Sequence, residues 1–335
     1  MPSPTSSADA SGAGASRGGL GSTSGLPAVS VVIPFHGGPE PVLALVDALR
    51  RDASPHLHEV IVSDDASPTP FPATDGVTVV RRERNGGFAA AVNTGAAVAT
   101  GELLLVLNSD LEVAPGFLDA LVGRAVPWMP ALVTCDVISP AGHGSWPGRH
   151  FPTTAHQVVE WLTPLARWRH LPALHEAVGH DTRTAHGRDT TVDWVMGALM
   201  LVPRAAWEAV GGLDEAFYMN CEEVDLQRRL RALGVPSVVL GGVTVVHEGG
   251  GSSGSDRRRG WLVDGRYRYA RKWGGPAGAP ALRLGLGAAT GANLVWNGAR
   301  RLAGAAVQPI QVARYETQLL LHPEQWVPEA NRTRS

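Results

Sequence analysis

The feature that most constrains the fold is an alternation of short β-branched apolar runs with helical segments in the first third of the chain. Strand-like runs occupy residues 29–35, 59–63, 77–80 and 102–107, and apolar residues at helical spacing occupy 41–51 and 88–99. This alternation predicts an α/β domain whose central sheet is mainly parallel. Such sheets bind ligands beyond the carboxyl ends of their strands, so the polar residues that follow these runs are the first candidates for a functional site.

The remainder of the chain is less regular and ends in a basic, mainly helical segment. Its pattern predicts strands at 191–202, 235–240 and 243–247 and a helix at 221–233. Residues 1–27 are rich in Ser, Gly and Ala without apolar periodicity, which predicts a disordered tail. The ordered chain is therefore expected to be an α/β domain at 28–253 with a helical C-terminal extension at 254–335.

Composition argues against several classes of protein. The 335 residues include 29 Lys and Arg against 31 Asp and Glu, a net charge of −2 that argues against a general nucleic-acid binder. Two cysteines, Cys135 and Cys221, are too few for a disulfide scaffold or a four-thiolate zinc site. Positive charge is concentrated at 254–301, which contains ten Arg or Lys and two Asp. That segment is either a solvated helical face or a surface attracted to anionic lipid or to a lipid-linked diphosphate.

The longest charge-free stretch near the C-terminus does not predict a membrane span. Residues 284–299 are only 16 residues long and contain four Gly and two Asn. The N-terminus lacks the apolar core of a signal peptide. The expected location is the cytoplasm, and peripheral contact with the inner face of the plasma membrane through the basic segment stays open.

Carboxylates follow two of the predicted strands. Asp64 and Asp65 come directly after the run at 59–63, where they can accept hydrogen bonds from a base or a ribose. Asn108 and Asp110 follow the run that ends at residue 107, where a carboxylate can hold a divalent cation against a diphosphate. For each pair the alternative is a turn or helix-capping role, in which Asp is also favoured.

Further polar residues stand at helix and strand ends. Asn85 and Asn93 flank a glycine-rich helix entry that could approach an anionic or sugar ligand, or could simply be a turn. Glu222 and Glu223 begin the predicted helix at 221–233, where one could be a general base or both could favour the helix dipole. His247 ends a strand before a glycine-rich loop and could ligate a metal or contact a diphosphate.

Taken together, the order and spacing of these signals resemble family 2 inverting glycosyltransferases. In the first half the resemblance is carried by VSVVIP from residue 29, VSDDAS from 62, NGGFAAAVNTG from 85 and LNSD from 107. In the second half it is carried by WVMGALMLV from residue 194, GGLDEAF from 211, EEVDLQRR from 222 and HEGGGS from 247. The match covers about residues 28–275 and is most similar to the bacterial rhamnosyltransferase-type branch.

The resemblance implies a GT-A fold, with a nucleotide-sugar half at 28–126 and an acceptor and catalytic half at 127–253. It also implies a cofactor, Mg²⁺ or Mn²⁺, bound by Asp110, with His247 near the metal or the diphosphate. Glu223 falls where the family has the Asp of a Glu-Asp pair, so Glu223 or Glu222 would be the base. The implied nucleotide-sugar-binding residues are Pro34, His36, Asp64, Asp65, Asn85, Asn93, Asn108 and Arg229.

The function implied by the resemblance is transfer of a sugar from a nucleoside-diphospho-sugar, with a dTDP-rhamnose-like donor expected first. The acceptor would be a hydroxyl of a glycan or lipid-linked glycan in cell-wall or surface polysaccharide synthesis. One alternative is a sugar nucleotidyltransferase, which would usually need a cationic glycine-rich loop after the first strand; residues 35–40 contain no Lys or Arg. The other is a non-catalytic carbohydrate- or nucleotide-binding scaffold on the same fold.

Overall fold

The computed structural model describes residues 26–247 and 255–332, so the predicted tail at 1–27 lies almost wholly outside the described residues. The strands are β1 Val29–Phe35, β2 Leu57–Asp64, β3 Val77–Arg81, β4 Leu103–Leu107, β5 Leu111–Glu112, β6 Leu132–Ile138, β7 Gly148–Arg149, β8 Thr190–Val192, β9 Trp194–Val195, β10 Leu199–Pro203 and β11 Ser237–His247. The α-helices are α1 Glu40–Arg51, α2 Phe88–Ala96, α3 Phe117–Ala125, α4 Thr154–Trp161, α5 Pro172–Ala177, α6 Arg204–Val210, α7 Glu222–Ala232, α8 Ser255–Trp273, α9 Gly278–Leu302, α10 Pro309–Leu321 and α11 Glu329–Arg332.

A single large sheet organises the fold, in the order β3-β2-β1-β4-β10-β6-β11-β5, with β8 also paired to β11. The longest ladders, β1 with β2 and β6 with β11, are parallel, whereas β10 is antiparallel to both of its neighbours. The central strand β4, LLLVL, is buried along its whole length, as expected for a strand covered on both faces. The mainly parallel α/β sheet expected from the sequence is confirmed.

Helices cover both faces of the sheet and fix the position of the site. On one face, α1 and α3 bury apolar residues such as Leu45 and Leu121 against β1 and β4. On the other face, α2, α6 and α7 bury residues such as Val92, Trp207 and Leu226. Because α7 is anchored through its apolar side, its first turn is held against the sheet.

Two sequence predictions for the second half are wrong in detail. The strand predicted at 191–202 is three strands, because Asp193 turns away to accept hydrogen bonds from Phe151 N and Arg231 Nη1. The two strands predicted at 235–240 and 243–247 are one strand, β11, whose pairing with β6 shifts register between Leu240 and Thr244. The irregularity is absorbed as a bulge within one strand.

The C-terminal helices pack on the α/β region through a core of their own. Trp161 of α4 is buried with Val263 of α8, Leu282 and Leu286 of α9, and Leu319 of α10. Within residues 26–247 and 255–332, no helix is long and apolar enough to cross a membrane. The helical character predicted for the extension is confirmed.

Candidate active site

A carboxylate and an imidazole are brought together by strand pairing. Strand β5 begins directly after Asp110, and its antiparallel ladder with β11 places His247 opposite Leu111. Nε2 of His247 therefore lies 3.0 Å from Oδ1 of Asp110, and both side chains are partly exposed. Carboxylate oxygen and imidazole nitrogen both ligate divalent cations, so the donor set fits the metal expected from the sequence. We call these two residues the metal pair.

Asp64 ends β2 and is fully buried. It accepts hydrogen bonds from Ser67 N at 2.8 Å and Phe71 N at 3.1 Å, and it forms an ion pair with Arg81. Burial acts to raise the pKa of Asp64, but these donors outweigh burial and the pKa lies below its usual value. Asp64 consequently shapes the loop after β2.

Asp65 organises the glycine-rich entry to α2. Its carboxylate accepts hydrogen bonds from Gly86 N and Gly87 N, each at 2.8 Å. Burial raises the pKa of Asp65, and the two N–H donors offset that rise only in part. Gly87 has φ +83° and packs so closely on Tyr218 O that a Cβ would overlap it, which requires glycine here. The hydroxyl of Tyr218 donates to Asn85 Oδ1 at 2.9 Å, so Asn85 belongs to the same cluster.

Two predicted nucleotide-sugar residues have their described contacts with the scaffold. The amide of Asn93 is bonded to both sides of Leu213, donating to its carbonyl at 2.8 Å and accepting from its N–H at 2.9 Å. Arg229 donates to Asp225 at 2.8 Å and to Val210 O at 2.7 Å. These bonds tie α2 and α7 to the turn after α6.

The other predicted residues lie at the carboxyl ends of the central strands. Pro34 is opposite Ser63 in the ladder of β1 with β2, and His36 is exposed immediately after β1. Asn108 follows β4, and its N–H donates to Ala198 O at 2.9 Å. That bond ties the loop of the metal pair to the segment between β9 and β10.

Glu222 and Glu223 begin α7 after a backbone turn that non-glycine residues rarely adopt. Asn220 and Cys221 have φ of +70° and +71°. Glu222 is buried, and in the part of the chain that the structure describes the Oε2 atoms of both glutamates lack a hydrogen-bond partner. Burial raises the pKa of Glu223, and burial together with the neighbouring Glu223 raises that of Glu222 well above its usual value. A Cβ built at Gly197 would lie 3.4 Å from Glu223, so Glu223 adjoins the segment that contacts Asn108.

Sequence reasoning missed two residues that hold this pair of glutamates. Gln227 accepts from Val195 N at 2.7 Å and donates to Val195 O at 2.8 Å, which anchors the first turn of α7 to β9. Its position four residues after Glu223 places it on the same helix face, a signal that was available. Arg149 of β7 stacks 5.5 Å from the Trp194 ring, and its positive charge opposes the rise in the pKa of Glu223. No sequence signal marks Arg149, because a two-residue strand has no periodicity.

A second group of potential ligands lies elsewhere. One ligand atom each from His150, Glu176 and Asp181 lies within 4.8 Å of the others. Both carboxylates are already bonded, Glu176 to Thr182 and His150, and Asp181 to Arg183. Existing partners therefore compete with any ion, and the metal pair is the better candidate.

Comparison with known proteins identifies the family. Residues 30–188 match the model of the family described as Glycosyl transferase family 2. The chain carries a glycosyl transferase family 2 domain. The family expected from the sequence is confirmed for residues 30–188.

Several curated proteins are similar to this chain. An O-antigen biosynthesis protein of Myxococcus xanthus is 30% identical over 273 residues, 76% of this chain and 20% of its own length. A pre-mycofactocin glycosyltransferase of Mycobacterium tuberculosis is 31% identical, covering 60% of this chain and 38% of the relative. An N-acetylglucosaminyl-diphospho-decaprenol L-rhamnosyltransferase of the same species is 29% identical, covering 46% and 49%. The chain thus spans between a fifth and a half of the length of these relatives.

A solved structure shares the fold. The mannosyltransferase PcManGT of Pyrobaculum calidifontis, in complex with GDP-Man and Mn²⁺, aligns with a TM-score of 0.50 at 19% identity. The alignment covers 89% of this chain and 87% of the mannosyltransferase chain. The GT-A fold expected from the sequence is confirmed.

Proposed function

We propose that this chain is a metal-dependent inverting glycosyltransferase that moves a sugar from a nucleoside-diphospho-sugar to a hydroxyl of a glycan or lipid-linked glycan. The observation that carries the proposal is the convergence of the metal pair and two glutamates with buried carboxylate oxygens. Their loops are joined by the Asn108–Ala198 hydrogen bond and by the nearness of Gly197 to Glu223, where a Cβ built at Gly197 would lie 3.4 Å from the glutamate. Cell-wall or surface polysaccharide is the proposed product class, supported by the names of the O-antigen and rhamnosyltransferase relatives.

Glu223 is the proposed base. Two adjacent carboxylates with buried oxygens oppose each other's ionisation. The charge of Arg149 stabilises the ionised form of Glu223, whereas the pKa of Glu222 is raised further by its neighbour. Glu223 is therefore the better candidate for the ionised carboxylate that accepts a proton. Glu223 accepts the acceptor hydroxyl proton as the acceptor oxygen bonds to the anomeric carbon and the bond to the diphosphate breaks, which inverts that carbon.

Asp110 and His247 are the proposed metal ligands. A divalent cation held there would neutralise charge on the departing nucleoside diphosphate. The imidazole of His247 favours Mn²⁺, because Mg²⁺ takes oxygen ligands almost exclusively. The two residues approach because β5 pairs with β11, so the fold preforms the ligand geometry.

The donor pocket is proposed at the carboxyl ends of β1, β2 and β4, within residues 28–126. There Pro34, His36 and Asn108 line the edge, and Asp65 fixes the glycine-rich loop. A dTDP-rhamnose-like donor is the first to test, because one relative is named as an L-rhamnosyltransferase. Residues 127–253 supply the glutamates and the acceptor side, and the cytoplasm or the inner face of the plasma membrane is the proposed location.

The test combines ligand binding with transfer. Thermal stabilisation by UDP, GDP, dTDP and their sugars is measured with and without Mn²⁺, and transfer is followed by product detection and by the anomeric configuration. Glu223→Gln should keep the metal-dependent shift while transfer falls by about 10²- to 10⁴-fold. Asp110→Asn should lose the metal dependence of the shift. Glu208→Gln, an exposed carboxylate on α6, is the control and should change neither. Absence of any nucleotide-dependent shift in folded protein would contradict the proposal.

A further inference from the structure

Helix α9 exposes an apolar side to solvent, unlike an ordinary surface helix. All its exposed residues other than three arginines are apolar or small, and Leu284, Val295 and Leu302 are 77%, 75% and 92% exposed. Its buried side contains the polar residues Thr290 and Asn293 beside the leucines of the helical core. A helix on a protein that faces only water normally presents polar residues outward and apolar residues to the core.

The inward polar residues are fully used inside the protein. Thr290 Oγ1 accepts a hydrogen bond from Trp161 Nε1 at 2.9 Å. Asn293 accepts from Thr163 N at 2.9 Å and donates to Trp161 O at 3.0 Å, and it also contacts the buried Glu316. These bonds fix the rotation of α9, so the apolar side is held outward by specific contacts.

The apolar surface continues from α9 onto α10. A groove of about 420 Å³ lies between the two helices and is lined mainly by apolar atoms. Leu294, Ile310 and Leu321 contribute to its walls and are themselves exposed. We call the outward side of α9 together with this groove the α9 face.

Positive charge borders the α9 face. Arg283, Arg300, Arg301 and Arg314 are exposed on α9 and α10. Between residues 277 and 322 the sequence contains one carboxylate, that of Glu316, which is buried inside the helical core. The surface is therefore apolar at its centre and cationic at its border, complementary to an anionic bilayer.

The arginines of α8, which the sequence analysis associated with anionic lipid, are largely engaged within the protein. Arg266 is buried and ion-paired with a carboxylate of α4, and Arg268 pairs with an aspartate one turn earlier. Lys272 contacts two aspartates, and Arg259 stacks on Trp161. Arg257 and Arg271 of α8 are exposed, so charge available for a membrane lies with α9 and α10 and with part of α8.

We infer that the α9 face docks on an anionic phospholipid bilayer, with α9 lying in the plane of the interface. This inference deepens the proposed function, on which it rests, by naming the surface that would bring a lipid-linked acceptor to the site. The 25 residues of α9 give a helix of about 37 Å along the membrane. A second copy of the chain is the less suitable partner. A two-fold axis through the α9 face would bring the arginine borders of the two copies together, and their like charges would repel.

Vesicle flotation with matched variants tests the inference. The full chain is mixed with vesicles of phosphatidylcholine, or of equal parts phosphatidylcholine and phosphatidylglycerol, and floated at low and high salt. The wild type should float with the anionic vesicles and much less at high salt. Val295→Glu with Leu302→Glu should weaken binding about tenfold or more. The control, Val98→Glu with Leu233→Glu, adds the same charge at exposed apolar residues elsewhere and should stay within about twofold.

The contribution of the arginines that border the α9 face is tested by substituting two of them. Arg300→Gln with Arg301→Gln should weaken binding to anionic vesicles by about fivefold per arginine and leave phosphatidylcholine unaffected. The inference is overturned if the wild type stays unbound at low salt, or if both glutamate double variants lose binding equally. It is also overturned if sedimentation shows a dimer that the α9-face variant converts to monomer while vesicles bind neither. The Mn²⁺-dependent thermal shift with nucleotide is measured on the same samples. Wild-type protein that shows the shift but does not float rejects the docking face alone. Wild-type protein that floats but shows no shift rejects the proposed function alone.

Discussion

At the residue scale, the candidate site contains two neighbouring carboxylates whose pKa values are set by different surroundings. Glu222 is buried and the adjacent Glu223 is partly buried. The charge of Arg149 lowers the pKa of Glu223, whereas the neighbouring Glu223 raises that of Glu222. Their Oε2 atoms, unpartnered within residues 26–247 and 255–332, are the polar atoms of the site that a substrate hydroxyl could satisfy. The arrangement costs stability, as functional sites commonly do.

Replacing Glu222 should increase the free energy of unfolding, and the increase should depend on pH. The pKa of Glu222 in the folded protein is raised, so its contribution to stability is present below the unfolded pKa of about 4.5 and is lost as pH rises through the folded value. Glu222→Gln should therefore unfold at higher temperature than the wild type near pH 8, by a free energy of about 1–3 kcal/mol. The difference should disappear near pH 4. Thermal unfolding followed by circular dichroism across pH checks this, and a constant difference at all pH values would contradict it.

Removing the charge of Arg149 should change the pH dependence of the reaction. Arg149 lowers the pKa of Glu223 against the larger effect of burial, so Arg149→Met should raise that pKa further. The acidic limb of the kcat profile should move to higher pH, and the rate at neutral pH should fall about tenfold or more. Arg149→Lys should return the acidic limb part of the way to its wild-type pH. Arg183→Met, on a neighbouring loop, is the control and should leave the limb in place.

At the element scale, the parts predictable from sequence are those whose periodicity is set locally. The runs that became β1, β2 and β4 and the spacing that became α1 and α7 lie where the sequence places them, because each buries a continuous face. The division of 191–202 into three strands depends on distant partners of Asp193, which no local pattern contains.

The residues of the candidate site also include some that the sequence predicts and some that it does not. Asp110 and His247 were foreseeable as residues at strand ends, although their 3.0 Å approach follows from the β5–β11 pairing. Arg149 was not foreseeable, since it comes from a two-residue strand and acts only through tertiary proximity to Glu223. The exposed apolar side of α9 could not be predicted either, because a hydrophobic pattern does not reveal which side faces the core.

Helix α8 supports the strained turn before the glutamates through one glycine. A Cβ on Gly265 would lie 2.5 Å from Asn220 O, too close for any real side chain. Gly265→Ala should therefore displace the turn, lowering kcat about tenfold or more and destabilising the fold despite the better helix propensity of Ala. Gly287→Ala, in α9 with open space around it, is the matched control and should stabilise by about 0.5–1 kcal/mol with kcat unchanged. Equal effects of the two substitutions on kcat and stability would contradict this role.

At the scale of the whole molecule, the C-terminal extension is interlocked with the site. Buried Asp225 on α7 accepts a hydrogen bond from Trp273 Nε1 at 2.9 Å and pairs with Lys272 at 2.8 Å. Near the other end of the extension, Asn331 donates to Asn85 O at 2.9 Å, on the glycine-rich loop. The extension therefore contributes contacts to both α7, which carries the proposed base, and the proposed donor loop.

Ending the chain at residue 254 should therefore abolish stable folding as well as activity. Asp225 would lose Trp273 and Lys272 and keep its ion pair with Arg229, and each hydrogen bond lost from a charged group costs about 1.5–3 kcal/mol. That is a large part of the total stability of a typical domain, and the apolar contacts of Trp161 with the extension would be lost as well. Soluble yield and thermal unfolding measure the effect. Deletion of residues 1–25 is the control, expected to leave the melting temperature unchanged because that Ser-, Gly- and Ala-rich sequence has no apolar periodicity with which to pack on the fold. A cooperative transition of the shortened chain within a few degrees of the full chain would show that the extension is an independent unit, and the support it gives to α7 would then have to come from elsewhere.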